Sequence, residues 1–310
     1  EVKSLYAAVI LSIAVIFAVN WLFPKKNVVK PEAATVEVKT AAEEVKVAPT
    51  EKTDTQAVSL EEATAKDRRI KVINDSVQGS IRLKGARFDE LALSKYKQNL
   101  DADSGDVELL APTGTNSPYY AEFGWISLDK NLRLPNEDTL WQAKGGDLTP
   151  QTPLLLEWNN GQGLKFIRKI SLDDNYMFTI DQMVENNSGK EVTLYPYGLI
   201  NRHYDTANSS SSVVHEGMTG VMDGTLKEIK FKDLKDGQKK DFKTNGGWAG
   251  FSDRYWFAAL ILDNNQQSAV KFAKTGEQTY QTDFVGQPVS IENGVVGNSS
   301  SRFFAGAKEI

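Results

Sequence analysis

The sequence predicts a mainly β protein, a large antiparallel β-sandwich that follows one apolar segment and a polar linker. Apolar and polar residues alternate with a period of two in many short segments, and turn-forming clusters separate these segments. The sequence lacks the regular alternation of strand and helix patterns that would indicate a parallel sheet. The chain has 310 residues and is 40% hydrophobic, which is enough for one large domain or two ordinary ones.

The first element is the apolar run Leu5–Phe23. A helix needs roughly 20 such residues to cross a bilayer, so this run can span. A cleaved signal peptide is the alternative, but its apolar core is shorter, roughly 7–15 residues, and no small-residue cleavage pattern follows Phe23. We therefore expect residues 1–23 to form an uncleaved transmembrane anchor, with membrane lipid around residues 5–23.

Residues 24–66 are predicted to form a flexible linker. They are rich in Lys, Glu, Ala, Thr, Val and Pro and contain no aromatic residue. Such a composition cannot bury enough apolar surface to offset the entropy of ordering. A short helix is expected at 59–67, because Ser59 can cap it and Glu61 and Glu62 suit its first turn.

Residues 67–310 are predicted to form the sandwich. The clearest alternation is at 164–173, where Leu164, Phe166, Ile170 and Leu172 share one parity. The Asn-Asn-Ser-Gly cluster at 186–189 predicts a hairpin that pairs 176–184 with 192–200. A second short helix is expected after Phe304.

The run from Gly246 to Leu260 combines glycines with large aromatic residues. Glycines let neighbouring backbone approach closely, and each aromatic ring can bury a large apolar surface. We expect this run to lie at the centre of the core, with four rings buried in it: Trp248, Phe251, Tyr255 and Trp256.

This run resembles a Gly-Gly-Trp-x-Gly-x-x-Asp-Lys/Arg-Tyr-Trp signature in the periplasmic domain of the YidC membrane protein insertases. Two further matches follow the order of that family: the His-Glu-Gly stretch at 215–217 with Gly-Val-Met-Asp-Gly at 220–224, and Arg-Phe-Phe-Ala-Gly at 302–306. The matching residues, which we expect to have a structural role, are Gly246, Gly247, Trp248, Gly250, Asp253, Arg254, Tyr255, Trp256, His215, Glu216, Gly217, Phe304 and Gly306.

The resemblance implies a periplasmic β-supersandwich similar to galactose mutarotases, with no enzymatic activity. It also implies a parent protein that inserts and helps fold inner-membrane proteins, alone or with the Sec translocon. The amino terminus would then be cytoplasmic, although Lys25 and Lys26 favour the opposite orientation by the positive-inside rule. The insertase core of that family is a later helical bundle, and no second membrane-length apolar run precedes Ile310, so we expect this chain to be an amino-terminal portion.

The remaining chemistry of the sequence is sparse. The formal net charge of −5 opposes nucleic-acid binding, and the absence of cysteine excludes disulfides and thiolate sites. The acidic stretch 101–106 lacks the spacing and the final glutamate of a calcium loop. We therefore expect no metal and no cofactor.

Two histidines, His203 and His215, are the only imidazole groups available for acid–base catalysis. We expect both to be structural or exposed. His203 should be weakly basic because Arg202 is its neighbour, and no evident feature would fix the geometry of His215.

Arg254 has two interpretations. It can stack on Trp248 or Trp256 as part of a recognition surface, or it can cover the edge of the core and pair with a carboxylate. For the chain as a whole, the alternative to an insertase portion is a membrane-tethered module that binds or epimerises carbohydrate.

Overall fold

The computed structural model describes residues 57–101, 103–205 and 215–309. The predicted anchor at 1–23 and residues 24–56 of the predicted linker at 24–66 lie outside these residues. Within the described ranges, no helix has the length and apolar character needed to cross a membrane.

Two antiparallel sheets make up almost all of the described structure. The first has ten strands in the order β1-β2-β3-β5-β10-β17-β16-β13, with β4 paired to β3 and β18 paired to β10. Its strands are Arg69–Ile73 (β1), Val77–Arg82 (β2), Arg87–Lys97 (β3), Asp106–Leu110 (β4), Tyr119–Ile126 (β5), Val192–His203 (β10), Lys239–Asn245 (β13), Gln267–Gly276 (β16), Thr279–Val285 (β17) and Val289–Ile291 (β18).

The second sheet has nine strands in the order β12-β11-β14-β15-β19-β9-β8-β7-β6. Its strands are Gln142–Lys144 (β6), Leu154–Asn159 (β7), Leu164–Leu172 (β8), Met177–Asn186 (β9), Gly217–Met222 (β11), Thr225–Lys230 (β12), Trp248–Ser252 (β14), Trp256–Ile261 (β15) and Val296–Ala307 (β19). The predicted antiparallel fold class is confirmed.

Within the residues that the structure describes, helical structure is confined to short segments. The helix α1 spans Leu60–Thr64, and the amide of Glu62 donates to Ser59 Oγ over 3.2 Å, as predicted for the cap. A 3-10 turn spans Phe231–Asp233. The prediction of a helix after Phe304 is wrong, because β19 continues as a strand to Ala307 and pairs with β15 up to that residue.

The prediction that 176–184 pairs with 192–200 in a hairpin is also wrong. The first segment, β9, pairs with β8 and β19, whereas the second, β10, pairs with β5, β17 and β18. The turn therefore carries the chain from one sheet to the other. The side chain of Asn186 fixes this crossing by donating to the carbonyl oxygens of Lys190 (2.8 Å) and Ile291 (2.7 Å).

The core lies between the two sheets and is centred on phenylalanine rings. Phe88 of the ten-stranded sheet has ring centroids 5.4 Å from Phe178 and 5.6 Å from Phe303 of the other sheet, both edge to face. All three side chains are buried. Aromatic pairs of this geometry add to the stabilisation that burial of their area provides.

A seam divides the ten-stranded sheet between β3 and β5, which pair only at Phe88 and Ala121. Arg168 of the opposite sheet reaches this seam and donates to the carbonyl oxygens of Ala86 (3.2 Å) and Phe123. A buried side chain thereby hydrogen-bonds backbone acceptors on both sides of the seam. Burial lowers the pKa of Arg168 to about 10.

Candidate functional site

The glycine–aromatic run forms the hairpin β14–β15, in which Trp248 pairs with Ile261. Gly247 precedes β14 with a φ of 91°. A Cβ atom there would lie 2.0 Å from the carbonyl oxygen of Val221, so both the backbone conformation and the space favour glycine.

Close packing also surrounds the other signature glycines. A Cβ atom at Gly250 would lie 2.0 Å from the carbonyl oxygen of Ala258, and one at Gly246 would lie 2.0 Å from Asn264 Oδ1. Gly217 and Gly306 are similarly enclosed. These approaches support a structural role for the glycines, which stays a prediction.

The aromatic residues of the run are less buried than expected. Phe251 is fully buried, whereas Trp248 and Trp256 are half-buried and Tyr255 is 55% exposed. The expectation that Tyr255 lies in the core is therefore wrong. Tyr255 lies in the turn between β14 and β15.

Neither interpretation of Arg254 describes its surroundings. Its side chain is exposed, and its guanidinium carbon lies 5.1 Å from the ring centroid of Tyr255 rather than on Trp248 or Trp256. The ion pair belongs instead to the preceding residue, since Asp253 lies 2.8 Å from Arg202 Nη2.

Arg202 at the end of β10 is enclosed by aromatic rings. Its guanidinium carbon lies 4.6 Å from the ring centroid of Tyr119, 5.1 Å from that of Tyr204 and 5.5 Å from that of Phe231. Burial opposes its charge, but Asp253, Tyr119 and Tyr204 together outweigh burial and raise the pKa of Arg202. Sequence patterns do not single out Arg202 and Tyr119 as site residues; the one signal for Arg202 is an arginine between polar and aromatic residues at the end of a strand.

The two histidines have different environments. His203 is partly buried, and burial lowers its pKa against the opposing effects of Asp205 and Gln278. The expected weak basicity is present, but its cause is burial rather than Arg202.

His215 is held more firmly than its sequence context suggests. Its Nε2 atom lies 3.2 Å from the carbonyl oxygen of Met218, and its Nδ1 atom lies 3.9 Å from Glu228 Oε1. The adjacent Glu216 accepts a hydrogen bond from the hydroxyl of Tyr204 over 3.1 Å. The expectation that nothing would fix His215 is therefore wrong.

The carboxyl-terminal strand joins the signature loop. Lys308 Nζ donates to Ser252 Oγ over 2.6 Å and to the carbonyl oxygen of Asp253. Phe304 lies beside Tyr176, with ring centroids 5.8 Å apart. Signature residues far apart in the sequence thus meet at one end of the sandwich.

A cleft of about 650 Å³ opens at this end; we call it the end cleft. It lies between the residues before α1, the β4–β5 loop, the end of β10 and the β14–β15 turn. His203 lines it and His215 does not. Its lining includes Glu108, Ser117, Tyr119, Arg202, Asp253 and Trp256.

The end cleft offers little for catalysis or metal binding. Turnover of a sugar needs an acid and a base that face each other across the substrate. The structure does not bring the two histidines together in this cleft. Within the described residues, no group of three or more His, Asp or Glu side chains is arranged to hold a metal ion.

The fold defines the class first: this is a galactose-mutarotase-like supersandwich. A Synechocystis protein superposes with a TM-score of 0.52 and 10% identity, covering 82% of this chain and 100% of that chain. A galactose mutarotase related enzyme from Lactobacillus acidophilus superposes with a TM-score of 0.51 and 10% identity, covering 77% of this chain and 97% of that chain. At this identity the likeness shows the fold alone.

Residues 69–310 match the family model of the YidC periplasmic domain, and the chain belongs to that family. One relative is the membrane protein insertase YidC of Beijerinckia indica, which is 40% identical over 99% of this chain and 54% of that protein. Another is the membrane protein insertase YidC of Rickettsia akari, which is 39% identical over 100% of this chain and 56% of that protein. The chain thus spans about half the length of the curated relatives it matches. The names of these relatives agree with the prediction of a protein that is not an enzyme.

Proposed function

We propose that this chain is the amino-terminal portion of an inner-membrane insertase, a protein that inserts and helps fold inner-membrane proteins. The observation that carries the proposal is the match to YidC, which covers the domain from residue 69 to 310 and the whole chain in the Rickettsia akari relative. The mutarotase-like fold does not favour the carbohydrate alternative, because similar folds serve unrelated functions.

The proposed anatomy has three parts. Residues 1–23 anchor the chain in the inner membrane, residues 24–66 are a flexible linker, and residues 67–310 are the periplasmic supersandwich. Lipid surrounds residues 5–23. The length of the apolar run supports the anchor, and the family match supports the periplasmic side for the domain.

The role of the domain itself is to be a scaffold and a contact surface for partners. The proposed partners are nascent inner-membrane proteins and components of the Sec translocon, with no role for nucleic acid. The signature residues maintain the fold in this proposal, because most of their contacts are with neighbouring strands.

A chimera tests the proposal. Residues 1–310 replace the matching portion of the Beijerinckia indica insertase, in cells depleted of their own insertase. We expect the chimera to restore insertion of a reporter membrane protein, measured by its accessibility to protease. A chimera that accumulates in the membrane at the normal level but inserts nothing would contradict the proposal.

Matched glycine variants of the chimera test whether its level and its insertion activity depend on close packing within the domain. Gly250→Ala forces a Cβ atom against the carbonyl oxygen of Ala258, so we expect lower levels and less insertion. Gly146→Ala is the control, since a Cβ atom there meets nothing within 4 Å.

A further inference from the structure

The first and the last residues of the described domain lie at the same end of the sandwich. Val58 lines the end cleft together with Asp253 of the β14–β15 turn, and its amide donates to the carbonyl oxygen of Gly114 over 2.9 Å. The amide of Lys308 donates to the carbonyl oxygen of Tyr255, in the same turn, over 2.8 Å. The chain therefore enters the domain from the proposed anchor and linker beside the β14–β15 turn.

The proposed linker keeps this end of the domain near the bilayer. It joins the proposed anchor, which ends at residue 23, to the first described residue, 57. A flexible chain of that length has a root-mean-square end-to-end distance of roughly 30 Å. Such a tether raises the local concentration of this end at the membrane surface, so that even a weak contact with the surface is populated.

The β14–β15 turn presents an aromatic ring and a cation together. Tyr255 is 55% exposed, and the guanidinium carbon of the exposed Arg254 lies 5.1 Å from its ring centroid. Among the described residues, no carboxylate lies within ion-pair distance of Arg254. The guanidinium group is thus available to an anion outside the chain.

The aromatic surface continues behind the turn. The ring centroid of the half-buried Trp256 lies 6.0 Å from that of Tyr255 and 5.1 Å from that of the half-buried Tyr96. Tyrosine and tryptophan concentrate at membrane–water interfaces, where the body of the ring meets apolar chains and its polar atom stays hydrated. An arginine beside such rings can bind the phosphate group of a phospholipid with two parallel hydrogen bonds.

The opposite end of the sandwich exposes apolar residues of another kind. The strand β19 runs from Val296 to Ala307, and Ala307 pairs with Trp256, so Val295 and the β14–β15 turn lie at opposite ends of this strand. Val295 is 46% exposed and Val296 is 51% exposed. These side chains have no polar atoms for lipid headgroups, and the turn before them connects two strands of the domain rather than leading to the anchor.

We propose that the β14–β15 turn docks on the periplasmic surface of the inner membrane. The ring of Tyr255 lies at the level of the headgroups, and Arg254 binds a lipid phosphate. The inference rests on the proposed function, which supplies the anchor and therefore the bilayer. It adds a defined orientation to the scaffold role of the domain, because the end that carries this turn faces the membrane.

Quenching of a single fluorophore by lipid tests the contact. The chain has no cysteine, so Tyr255→Cys provides one site for a nitrobenzoxadiazole label, and Val295→Cys provides the matched site at the opposite end. Both 310-residue chains are placed in nanodiscs of phosphatidylethanolamine and phosphatidylglycerol, with and without lipid that carries a doxyl quencher near the headgroup. We expect quenching at position 255 to exceed quenching at position 295 at least about threefold. The label at 295 also controls for the affinity of the fluorophore itself for lipid.

A charge reversal tests the role of the arginine. Arg254→Glu, added to the Tyr255→Cys chain, replaces the cation with a carboxylate that lipid phosphates repel. It should reduce quenching at position 255 to the level seen at 295. Arg133→Glu is the matched control at an exposed arginine, whose carbonyl oxygen accepts from Asn160 Nδ2 beside the β7–β8 turn, and should leave quenching unchanged.

Equal quenching at the two positions, stronger quenching at 295, or quenching at 255 that persists in Arg254→Glu would each overturn the inference. The chimera measures insertion in cells and is an independent experiment. A functional chimera with equal quenching would refute the docking turn alone. A failed chimera with quenching confined to position 255 would refute the proposed function alone.

Discussion

Arg168 lies in the middle of the sandwich and Arg202 at one end of it, and both guanidinium groups are withdrawn from water. Arg168 donates to backbone carbonyl oxygens across the seam and to Gln182 Oε1 over 3.4 Å. Arg202 has a carboxylate partner, Asp253, and three aromatic rings. Burial lowers the pKa of Arg168, whereas Asp253, Tyr119 and Tyr204 together outweigh burial at Arg202 and raise its pKa.

The difference separates a structural cation from a cation that lines the end cleft. Arg168 uses its hydrogen bonds to close a gap in the fold. Arg202 is held in place by its neighbours and lines the end cleft, with its Nη1 atom shielded from solvent.

The largest expected effect comes from removing the structural cation. Arg168→Met leaves the carbonyl oxygens of Ala86 and Phe123 without a donor and should lower the free energy of unfolding by roughly 2–5 kcal/mol. Lys169→Met, on the exposed face of the same strand, is the control and should cost less than about 0.5 kcal/mol. Urea unfolding followed by circular dichroism measures both. Equal effects would show that the seam does not need Arg168.

The second prediction extends the comparison to a buried carboxylate. Asp283 is 1% exposed, with Lys271 Nζ at 3.6 Å, and burial raises its pKa from 3.8 to about 6 despite that lysine. The folded state therefore holds this proton more tightly than the unfolded state. The contribution of Asp283 to the free energy of unfolding is therefore full below about pH 4 and is lost as the pH rises through about 6. The loss is at most roughly 3 kcal/mol.

The measurement is the unfolding free energy of the unaltered chain minus that of Asp283→Asn, from pH 4 to pH 7. We expect this difference to fall with rising pH and to level off above about 6. A flat line for Asp283→Asn would mean that Lys271 compensates burial completely.

The smallest expected effect is the coupling between Arg202 and Asp253. A double-mutant cycle with Arg202→Met and Asp253→Asn should give a coupling energy of about 1–2 kcal/mol, because both side chains are largely buried. The exposed pair Lys239 and Asp241, 3.9 Å apart, should give less than about 0.5 kcal/mol in the same cycle. Equal couplings would show that Asp253 does not hold Arg202 in place.

Local features of the fold could be predicted from the sequence. The alternation at 164–172 predicts β8, and its even-numbered apolar side chains are buried as expected. Ser59 and the acidic residues after it predict the start of α1. Both features depend on neighbours a few residues away, which is why the sequence suffices.

The candidate site was only partly foreseen. Asp253 and His203 stand out in the sequence, but the partner of Asp253 is Arg202, which lies on a strand of the other sheet. Tyr119 comes from a third segment. Sequence patterns do not report which strand ends meet, so the end cleft became visible only in the folded chain.

The sequence by itself determined the strands, their faces and the family signature, because periodicity and glycine spacing are local properties of the chain. Only the tertiary structure decided that β9 and β10 belong to different sheets, since the turn between them is compatible with either pairing. It also decided the role of Arg168, a charged residue at a core-facing position of β8. The acceptors that stabilise this arginine are carbonyl oxygens of the opposite sheet, and packing of the two sheets is what brings them within reach.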